Sequence, residues 1–476
     1  MHRLLPISKD RLHYVSEVTI AFLGATDTVT GSRFLVTTPM SKVLIDCGMF
    51  QGTKEIRKKN WEPFPVDAKS IDAVVLTHGH LDHCGYLPLL VKQGFNKGIY
   101  STPYTKDVAS LILRDSAHIQ EVDAKFAAAK RYSEHPEPKP LYVSGDVEAA
   151  LKLFVESPFR TPVQLTKDVK VTFYPSGHIL GSSFVVLEAG TKTILFTSDL
   201  GRGNHPLLSK PDSPPPTGID AVVTESTYGD RVHESPTNIF ADEINAGVKR
   251  GGMILIPAFA VDRTEIILMA LHTLIEEKKI PQLPIYVDSP MAIAALALYR
   301  QAIAQNSTEI GDGVSKLWEN QDPFDAGALK QLATSDESKS LKDIEGVAVL
   351  IAASGMSSGG RVVHHLKNLL PDASNTVILV GFQAAGTRGR QLEEGAKEVK
   401  IHGGWIPVNA HVAKVESFSV HADSNELLKW LSQISKPAKS FVVHGEADSE
   451  LALKIRLENE LGWKAIIPKS SQVFPV

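Results

Sequence analysis

The first two hundred residues alternate short apolar runs with glycine-containing turns. The runs are rich in Val, Ile, Leu, Phe and Thr, residues that suit a pleated and half-buried surface, so each run predicts a β-strand. Two helix-like segments, 105–121 and 146–155, interrupt the strands and indicate a strand-rich α/β pattern. The predicted strands are 18–25, 32–38, 42–46, 73–77, 169–174, 183–188 and 193–197.

A proline-rich segment at 205–218 marks a change of pattern, because proline removes a backbone donor and fits neither a helix interior nor a central strand. Beyond it strands and helices alternate, which predicts βαβ units on a mainly parallel sheet. The polar stretch 306–345 is predicted to be a surface excursion, and from about residue 401 the strand-rich pattern returns. The alternating strands are 221–225, 253–257, 284–287, 347–352 and 376–381, with helices at 263–279, 291–301 and 360–369; the returning strands are 405–419, 440–444 and 464–468, with helices from Asn425 and Ser449.

The composition is that of an ordinary globular protein and narrows the function classes. Of the 476 residues 43% are hydrophobic and 22% are charged, which excludes disordered, collagen-like and coiled-coil proteins. A total of 50 Lys and Arg against 54 Asp and Glu gives a net charge of −4, which disfavours nucleic-acid binding through bulk positive charge. With only 2 cysteines and no long apolar segment, we expect a cytoplasmic protein without disulfides or membrane contact.

The densest group of chemistry-bearing residues is His78, His80, Asp82 and His83, directly after the predicted strand 73–77. Imidazole and carboxylate groups suit zinc, while iron and manganese stay open from the ligand types alone. The structural alternative is a polar loop with fortuitous histidines, which is disfavoured because the pattern has a chance expectation of roughly 10⁻³. The sequence therefore predicts a metal site at this strand end.

The pattern H-x-H-x-D-H after a strand resembles the metallo-β-lactamase superfamily, and later motifs resemble its β-CASP branch of nucleic-acid-processing enzymes. Motifs in the family's order carry the resemblance: Asp46 in LIDCG, the cluster that starts at His78, His178 in SGHILGS and Asp199 in TSDLG. The resemblance implies an α/β protein with the four-layer αβ/βα metallo-β-lactamase fold and an inserted β-CASP α/β domain. The expected division assigns 1–205 and 401–476 to the metallo-β-lactamase domain and 206–400 to the insert.

The same resemblance implies a ligand set for two zinc ions. Asp46 is expected to hold a ligand imidazole through its N–H. His178 has a structural alternative as an ordinary loop histidine, and Asp199 and Asp46 have one as aspartates that end a strand or begin a turn. The implied ligands are His78, His80 and His178 for one ion and Asp82, His83 and His444 for the other, with Asp199 and a hydroxide bridging the two.

Three further motifs resemble those that mark the β-CASP branch: Glu225 in TESTYGD, His421 in SFSVHAD and His444 in VVHGE. RNA-acting members of the family typically carry histidine at the third motif, so His444 favours RNA over DNA. The resemblance implies phosphodiester hydrolysis by a two-metal hydroxide mechanism. In this mechanism Asp82 orients the attacking group, His421 is the general acid for the leaving 3′ oxygen, and Glu225 fixes the His421 tautomer.

A serine- and glycine-rich loop is expected between the strand 347–352 and the helix 360–369. Such a loop offers backbone N–H groups and a helix N-terminus to a phosphate, and a tight turn is its structural alternative. Two arginines near it are expected to bind RNA, although either one alone is typical of a solvated surface charge. The expected phosphate- and RNA-binding residues are Ser354, Gly355, Met356, Ser357, Arg361 and Arg388.

The sequence therefore predicts a zinc-dependent ribonuclease that acts on single-stranded RNA. One alternative is a DNA-processing nuclease of the same family. Another is a small-molecule hydrolase of the metallo-β-lactamase type, which leaves Glu225, His421 and the insert unexplained. The choice between endonuclease and 5′ exonuclease, the metal used in the cell, and the oligomeric state, with a homodimer among the states considered, stay open.

Overall fold

The computed structural model describes residues 17–130, 138–233, 238–344 and 346–476. Residues 1–16 and 131–137 of the predicted first segment, and 234–237 and 345 of the predicted insert, lie outside the described residues. The strands in chain order are β1 (Thr19–Phe22), β2 (Phe34–Thr37), β3 (Lys42–Ile45), β4 (Ala73–Val75), β5 (Ile99–Ser101), β6 (Phe154–Glu156), β7 (Val163–Gln164), β8 (Val169–Pro175), β9 (Ser183–Ala189), β10 (Lys192–Phe196), β11 (Ala221–Thr224), β12 (Ile254–Pro257), β13 (Ile285–Asp288), β14 (Leu329–Gln331), β15 (Val349–Ala352), β16 (Thr376–Val380), β17 (Glu398–Ile401), β18 (Gly404–Pro407), β19 (His411–Val415), β20 (Lys439–Val442), β21 (Ala465–Ile466) and β22 (Val473–Pro475).

The helices of the same residues are mostly short, and the longest is α4. Several begin with a side-chain cap, such as Asp423, which accepts hydrogen bonds from the first backbone N–H groups of α13. In chain order they are α1 (Lys54–Lys58), α2 (Leu81–Cys84), α3 (Leu87–Lys92), α4 (Pro103–Lys130), α5 (Ser144–Leu151), α6 (Ile239–Arg250), α7 (Arg263–Glu276), α8 (Pro290–Ala304), α9 (Asp312–Trp318), α10 (Ser335–Ser340), α11 (Arg361–Leu369), α12 (Arg388–Glu393), α13 (Ser424–Leu431) and α14 (Ala447–Glu460).

Two seven-stranded sheets face each other across one apolar core. The first has the order β22-β1-β2-β3-β4-β5-β6 and the second β21-β20-β11-β10-β9-β8-β7. Phe22 of β1 and Phe441 of β20 meet in this core with their ring centroids 4.9 Å apart. Helices α3 and α4 cover the outer face of the first sheet, and α13 and α14 cover that of the second. The resulting four layers confirm the expected αβ/βα fold, and both ends of the chain contribute to it.

A third sheet of six strands has the order β14-β13-β15-β12-β16-β19, and every neighbouring pair in it is parallel. Helices α6, α7 and α8 pack on one face, and α11 and α12 pack on the other. Strands covered on both faces are apolar along their whole length, as in β12 and β15. The predicted parallel α/β unit is therefore present.

Three sequence predictions differ from the structure, because sheet pairing outweighs local pattern. The predicted helix 146–155 ends at Leu151, since the next residues form β6 beside β5. The predicted surface excursion 306–345 contains β14, which extends the third sheet at its edge, and the fully buried Phe324. The predicted strand 405–419 is two strands in different sheets, β18 in a ribbon with β17 and β19 beside β16.

The division of the chain at residues 206 and 400 stays a prediction. The first strand after residue 206 and the strand β19 after residue 400 lie in different sheets. Strand β11, which follows residue 206, lies in the second sheet between β10 and β20. Strand β19, which follows residue 400, lies in the third sheet. The chain therefore passes from one architecture to the other between β11 and β12, and returns after β19.

Candidate active site

Six predicted site residues follow strands that end at the same side of the sandwich. Strands β3 and β4 are parallel in the first sheet. In the second sheet β10, β11 and β20 are parallel, and β8 runs in the same direction because both β8 and β10 are antiparallel to β9. One residue follows the carboxyl end of each of these strands: Asp46 follows β3, His78 follows β4, His178 follows β8, Asp199 follows β10, Glu225 follows β11 and His444 follows β20.

Two glycines let the loops at this side approach each other closely. A Cβ on Gly48 would lie 1.6 Å from the carbonyl oxygen of Asp82, and a Cβ on Gly201 would lie 1.9 Å from that of Gly177. Residues other than glycine would therefore push the His178 loop away from the Asp199 loop, and β3 away from α2. Asp46 and His444 themselves have positive φ angles of 57° and 53°, a conformation that concentrates at functional sites.

The first group of metal-ligating side chains is His78, His80, His178 and Asp199. His80 Nδ1 lies 3.2 Å from His78 Nε2 and 3.2 Å from His178 Nε2. Asp199 Oδ2 lies 3.4 Å from His78 Nε2 and 3.6 Å from His178 Nε2. All four donor atoms thus converge on one point.

The second group is Asp82, His83 and His444. The Nε2 atoms of His83 and His444 lie 3.3 Å apart, and Asp82 Oδ2 lies 3.4 Å from His444 Nε2. The other carboxylate oxygen of Asp199, Oδ1, lies 3.3 Å from His83 Nε2. Asp199 therefore turns one oxygen to each group and joins the two.

These spacings fit bound metal ions. Two nitrogens that share a tetrahedral zinc at about 2.05 Å lie about 3.3 Å apart, which matches the distances between the ring nitrogens in both groups. No N–H or O–H of the described residues is aligned to donate a hydrogen bond to the buried Asp199 Oδ1. Histidine and carboxylate are the donor types that zinc accepts. The two groups could each hold one ion, with Asp199 between them.

Neighbouring side chains orient the rings of three ligands, His83, His444 and His78. The Nδ1–H of His83 donates to Asp46 Oδ2 over 2.8 Å, and Asp46 also accepts hydrogen bonds from the backbone N–H and the hydroxyl of Thr77. His444 Nδ1 lies 3.2 Å from the hydroxyl of Thr227, and His78 Nδ1 lies 3.4 Å from that of Ser198. In each case the second ring nitrogen is engaged and Nε2 is left to point at the centre.

Sequence reasoning missed the hydroxyls of Thr77, Ser198 and Thr227. Thr77 directly precedes His78, Ser198 directly precedes Asp199, and Thr227 follows Glu225 by two positions. Their adjacency to candidate ligands is the signal that could have found them.

The electrostatics of the site follow from burial and close packing of like groups. Burial and the neighbouring His83 imidazole lower the pKa of His78 well below its usual range, so His78 is neutral, as a ligand must be. Burial opposes ionisation of Asp199, but the imidazoles of His444, His83 and His78 outweigh it and lower the pKa of that carboxyl. The imidazoles of the centre differ, since burial lowers the pKa of His78 and His178. Burial also opposes protonation of His83 and His444, but the Asp199 carboxylate outweighs it and raises the pKa of both.

His421 and Glu225 form a pair at the edge of the first group. His421 Nδ1 lies 3.0 Å from Glu225 Oε2, and His421 Nε2 lies 3.9 Å from Asp199 Oδ2. Glu225 is fully enclosed and its Oε1 accepts a hydrogen bond of 2.5 Å from the backbone N–H of Leu200. Burial opposes protonation of His421, but the Glu225 carboxylate outweighs it and raises the pKa of His421. A carboxylate thus holds one ring nitrogen while the other faces the centre.

The Ser354–Ser357 loop lies between β15 and α11, facing the metal-ligating groups across Phe259. The ring of Phe259 lies 6.4 Å from that of His80, and a Cβ on Gly355 would come within 2.9 Å of the Phe259 backbone nitrogen. The predicted RNA-binding arginines have internal partners: Arg361 donates to Asp288 and to the carbonyls of residues 332 and 333, and Arg388 donates to the carbonyls of Ser357 and residue 400. Their role toward RNA stays a prediction.

Comparisons with known proteins agree with this architecture. A model of the metallo-β-lactamase superfamily matches residues 27–228, a β-CASP domain model matches 264–392, and a model described as a Zn-dependent metallo-hydrolase RNA specificity domain matches 405–468. A crystal structure of a protein of unknown function from Enterococcus faecalis V583 is 15% identical, covers 97% of this chain and 100% of its own, and has a TM-score of 0.53, which supports the fold alone.

Fold and site together define a metal-dependent hydrolase of the metallo-β-lactamase class. Ribonuclease TTHA0252 of Thermus thermophilus is 35% identical over 90% of this chain and 94% of its own length. An RNase J-like protein of Methanocaldococcus jannaschii is 34% identical over 96% of this chain and 100% of its own. The transcription termination factor FttA of Methanosarcina mazei is 31% identical over 90% of this chain and 67% of its own. The chain belongs to the β-CASP ribonuclease family of the metallo-β-lactamase superfamily.

Among the residues that the structure describes, no helix is both long enough and apolar enough to cross a bilayer. The homodimer considered from the sequence stays a prediction.

Proposed function

We propose that this chain is a zinc-dependent ribonuclease that hydrolyses phosphodiester bonds of single-stranded RNA, with two metal ions and with His421 as general acid. The observation that carries the proposal is the position of Asp199, whose two oxygens face two separate groups of ligands, beside a histidine held by a buried carboxylate. The names of the ribonuclease and RNase J-like relatives, and that of the RNA specificity model, support RNA as the substrate.

The first ion would be held by His78, His80 and His178, the second by Asp82, His83 and His444, with Asp199 shared between them. The chemistry that such a pair of ions supplies when bound is activation of water near neutral pH and polarisation of the phosphoryl oxygens.

The protein's own groups position the reactants and move the protons. Asp82 has a side chain that is 18% exposed, more than the other carboxylate of the centre, so it can accept a hydrogen bond from the attacking water. His421 is positioned by Glu225 at Nδ1, so its Nε2–H can be donated to the leaving 3′ oxygen. Glu225 stabilises the protonated imidazole and fixes its orientation. The expected products are a 5′-phosphate and a 3′-hydroxyl.

The proposal is tested with end-labelled single-stranded RNA, DNA of the same sequence and blunt duplex RNA, incubated with zinc-loaded protein. His421→Ala should reduce the rate about 10²- to 10⁴-fold with the zinc content unchanged, because it removes only the proton donor. Asp82→Ala should reduce both the rate and the zinc content. His411→Ala is the matched control, because His411 is an exposed histidine on β19 that pairs with Glu243 of α6.

Failure of the wild-type protein to cleave any RNA, or undiminished cleavage in both variants, would overturn the proposal. Faster cleavage of DNA than of RNA would favour the DNA-processing alternative. The labelled products also give the mode, since internal fragments indicate an endonuclease and mononucleotides a 5′ exonuclease.

A further inference from the structure

The ribbon of β17 and β18 presents a tryptophan to solvent. Trp405 of β18 is 62% exposed and lies directly opposite Lys400 of β17. Cross-strand partners point to the same face of a two-stranded ribbon. Here it is the exposed face, since Val399 and Ile401, which flank Lys400 on β17, are buried. An exposed indole beside a lysine is a common element of surfaces that bind single-stranded nucleic acid.

Two histidines and further cations lie next to this ribbon. The turn residue His402 has its ring 4.6 Å from that of His364, which shares an exposed face of α11 with Lys367. Arg388 of α12 donates two hydrogen bonds to the carbonyl of Lys400. Burial and the cations of Lys367 and Arg388 lower the pKa of His402, so His402 is neutral and the positive charge comes from Lys367, Arg388 and Lys400.

Acidic partners are scarce on this surface. Within the part of the chain that the structure describes, neither Lys367 nor Lys400 makes an ion pair, although Glu398 lies two positions before Lys400 on the same strand. Some exposed lysines elsewhere are paired, as in Lys92 with Asp146 and Lys170 with Glu188. The surface therefore keeps a local positive charge on a protein whose net charge is −4.

A chain of direct contacts connects this surface to the metal-ligating groups. Arg388 donates to the carbonyl of Ser357, and the backbone N–H of Gly389 donates to that of Met356. The same loop packs through Gly355 against Phe259, whose ring lies 6.4 Å from that of His80. A strand bound at the centre could therefore continue over this loop and reach the ribbon.

We propose that this surface binds a segment of the RNA strand outside the scissile bond, with a base stacked on the indole and phosphates facing the cations. The inference rests on the proposed function and adds to it a second contact that favours longer strands. An acidic protein partner would use the same cations, but the exposed indole and the continuity with the centre favour a nucleic-acid strand. The Trp405 surface consists of His364, Lys367, Arg388, Lys400, His402 and Trp405.

The test measures binding and cleavage of single-stranded RNAs of increasing length. In a zinc-loaded His421→Ala background, Trp405→Ala should weaken binding of long RNA about 5- to 100-fold, and Trp405→Phe should retain most of it, because a base stacks on either aromatic ring. Lys400→Ala should lower the salt dependence of binding, while Lys170→Ala, which removes a paired strand lysine, should not. RNA should quench the tryptophan fluorescence of the His421→Ala protein, and this quenching should disappear when Trp405→Phe is added.

In the protein with His421 intact, Trp405→Ala should raise KM for long RNA and leave kcat/KM for the shortest cleaved RNA unchanged. If wild-type protein cleaves RNA but Trp405→Ala binds long RNA as tightly as wild type does, the Trp405 surface is excluded while the proposed function stands. If wild-type protein cleaves no RNA of any length, the proposed function itself fails. If Trp405→Ala or Lys400→Ala loses binding to an acidic protein while its binding to RNA is unchanged, the assignment of this surface to RNA is likewise overturned.

Discussion

Two buried clusters of histidine and carboxylate lie at strand ends of this protein, and they differ in how their charges are balanced. One is the metal-ligating centre around Asp199. The other lies at the end of β13, where Asp288 is fully enclosed. Asp288 accepts hydrogen bonds of 2.6 Å from Arg361, 2.6 Å from His365 and 2.5 Å from Ser338. Hydrogen-bond donors within the cluster therefore balance the negative charge of the Asp288 carboxylate.

The centre around Asp199 has the opposite character. Its ring nitrogens face each other at 3.2 to 3.3 Å, and no donor is aligned with Asp199 Oδ1. Lone pairs that converge in this way need a cation, whereas a carboxylate surrounded by donors does not. Residue type and position at a strand end therefore do not separate a metal site from a structural ion pair. The direction of the lone pairs does.

The largest expected effect comes from matched substitutions of the two aspartates. Asp199→Asn replaces one ligand oxygen by an amide group, so we expect loss of bound zinc and a fall of at least about 10³-fold in kcat/KM for RNA. Asp288→Asn should leave zinc content and kcat/KM of the folded protein within a few-fold of wild type. The measurements are metal analysis and initial rates on purified protein. Equal loss of zinc in both variants would break the distinction between the clusters.

A smaller effect is expected from Arg361→Met, which removes the cation that faces Asp288. Leaving a buried carboxylate without its charged partner should lower the free energy of unfolding by about 3 kcal/mol. Chemical denaturation measures this, and adding Asp288→Asn should recover part of the loss, because the uncompensated charge is then gone. A large rise in KM for RNA with unchanged stability would instead support the sequence-based prediction that Arg361 binds RNA.

Much of the sandwich and of the metal-ligating centre could be predicted from the sequence. The strand bounds follow apolar runs closely, as in 42–46 against Lys42–Ile45, because both faces of these strands are covered. The candidate ligands could be found because His78, His80, Asp82 and His83 stand together in one short motif. Their roles as ligands stay a proposal.

Other features depend on contacts that no local pattern carries. Strand β14 is polar and gains its conformation by pairing with β13 at a sheet edge. The partners of Arg361 come from the end of β13 and from residues 332 and 333, which lie 28 to 73 positions away, so the sequence offers no sign that its donors are taken. The Trp405 surface brings together α11, α12 and the ribbon, and it depends in the same way on tertiary packing.

The smallest expected effect concerns Glu309. In its number of hydrogen-bond donors this carboxylate is intermediate between the two clusters, because it has one backbone donor, whereas three residues donate to Asp288 and none of the described residues donates to Asp199 Oδ1. Glu309 Oε2 accepts a hydrogen bond of 2.6 Å from the N–H of Gly181, in the loop that carries His178, and burial raises the pKa of Glu309 to about 7. Because the folded state binds this proton more tightly than the unfolded state, the protein loses stability as pH rises from the unfolded pKa toward the folded one. Glu309→Gln cannot ionise and retains an acceptor for Gly181. Its stability relative to wild type should therefore improve by about 2.5 kcal/mol between about pH 5 and about pH 8, as measured by chemical denaturation. The exposed Glu319→Gln is the control and should show no such trend, while a difference for Glu309→Gln that does not change with pH would show that this carboxylate is balanced like Asp288.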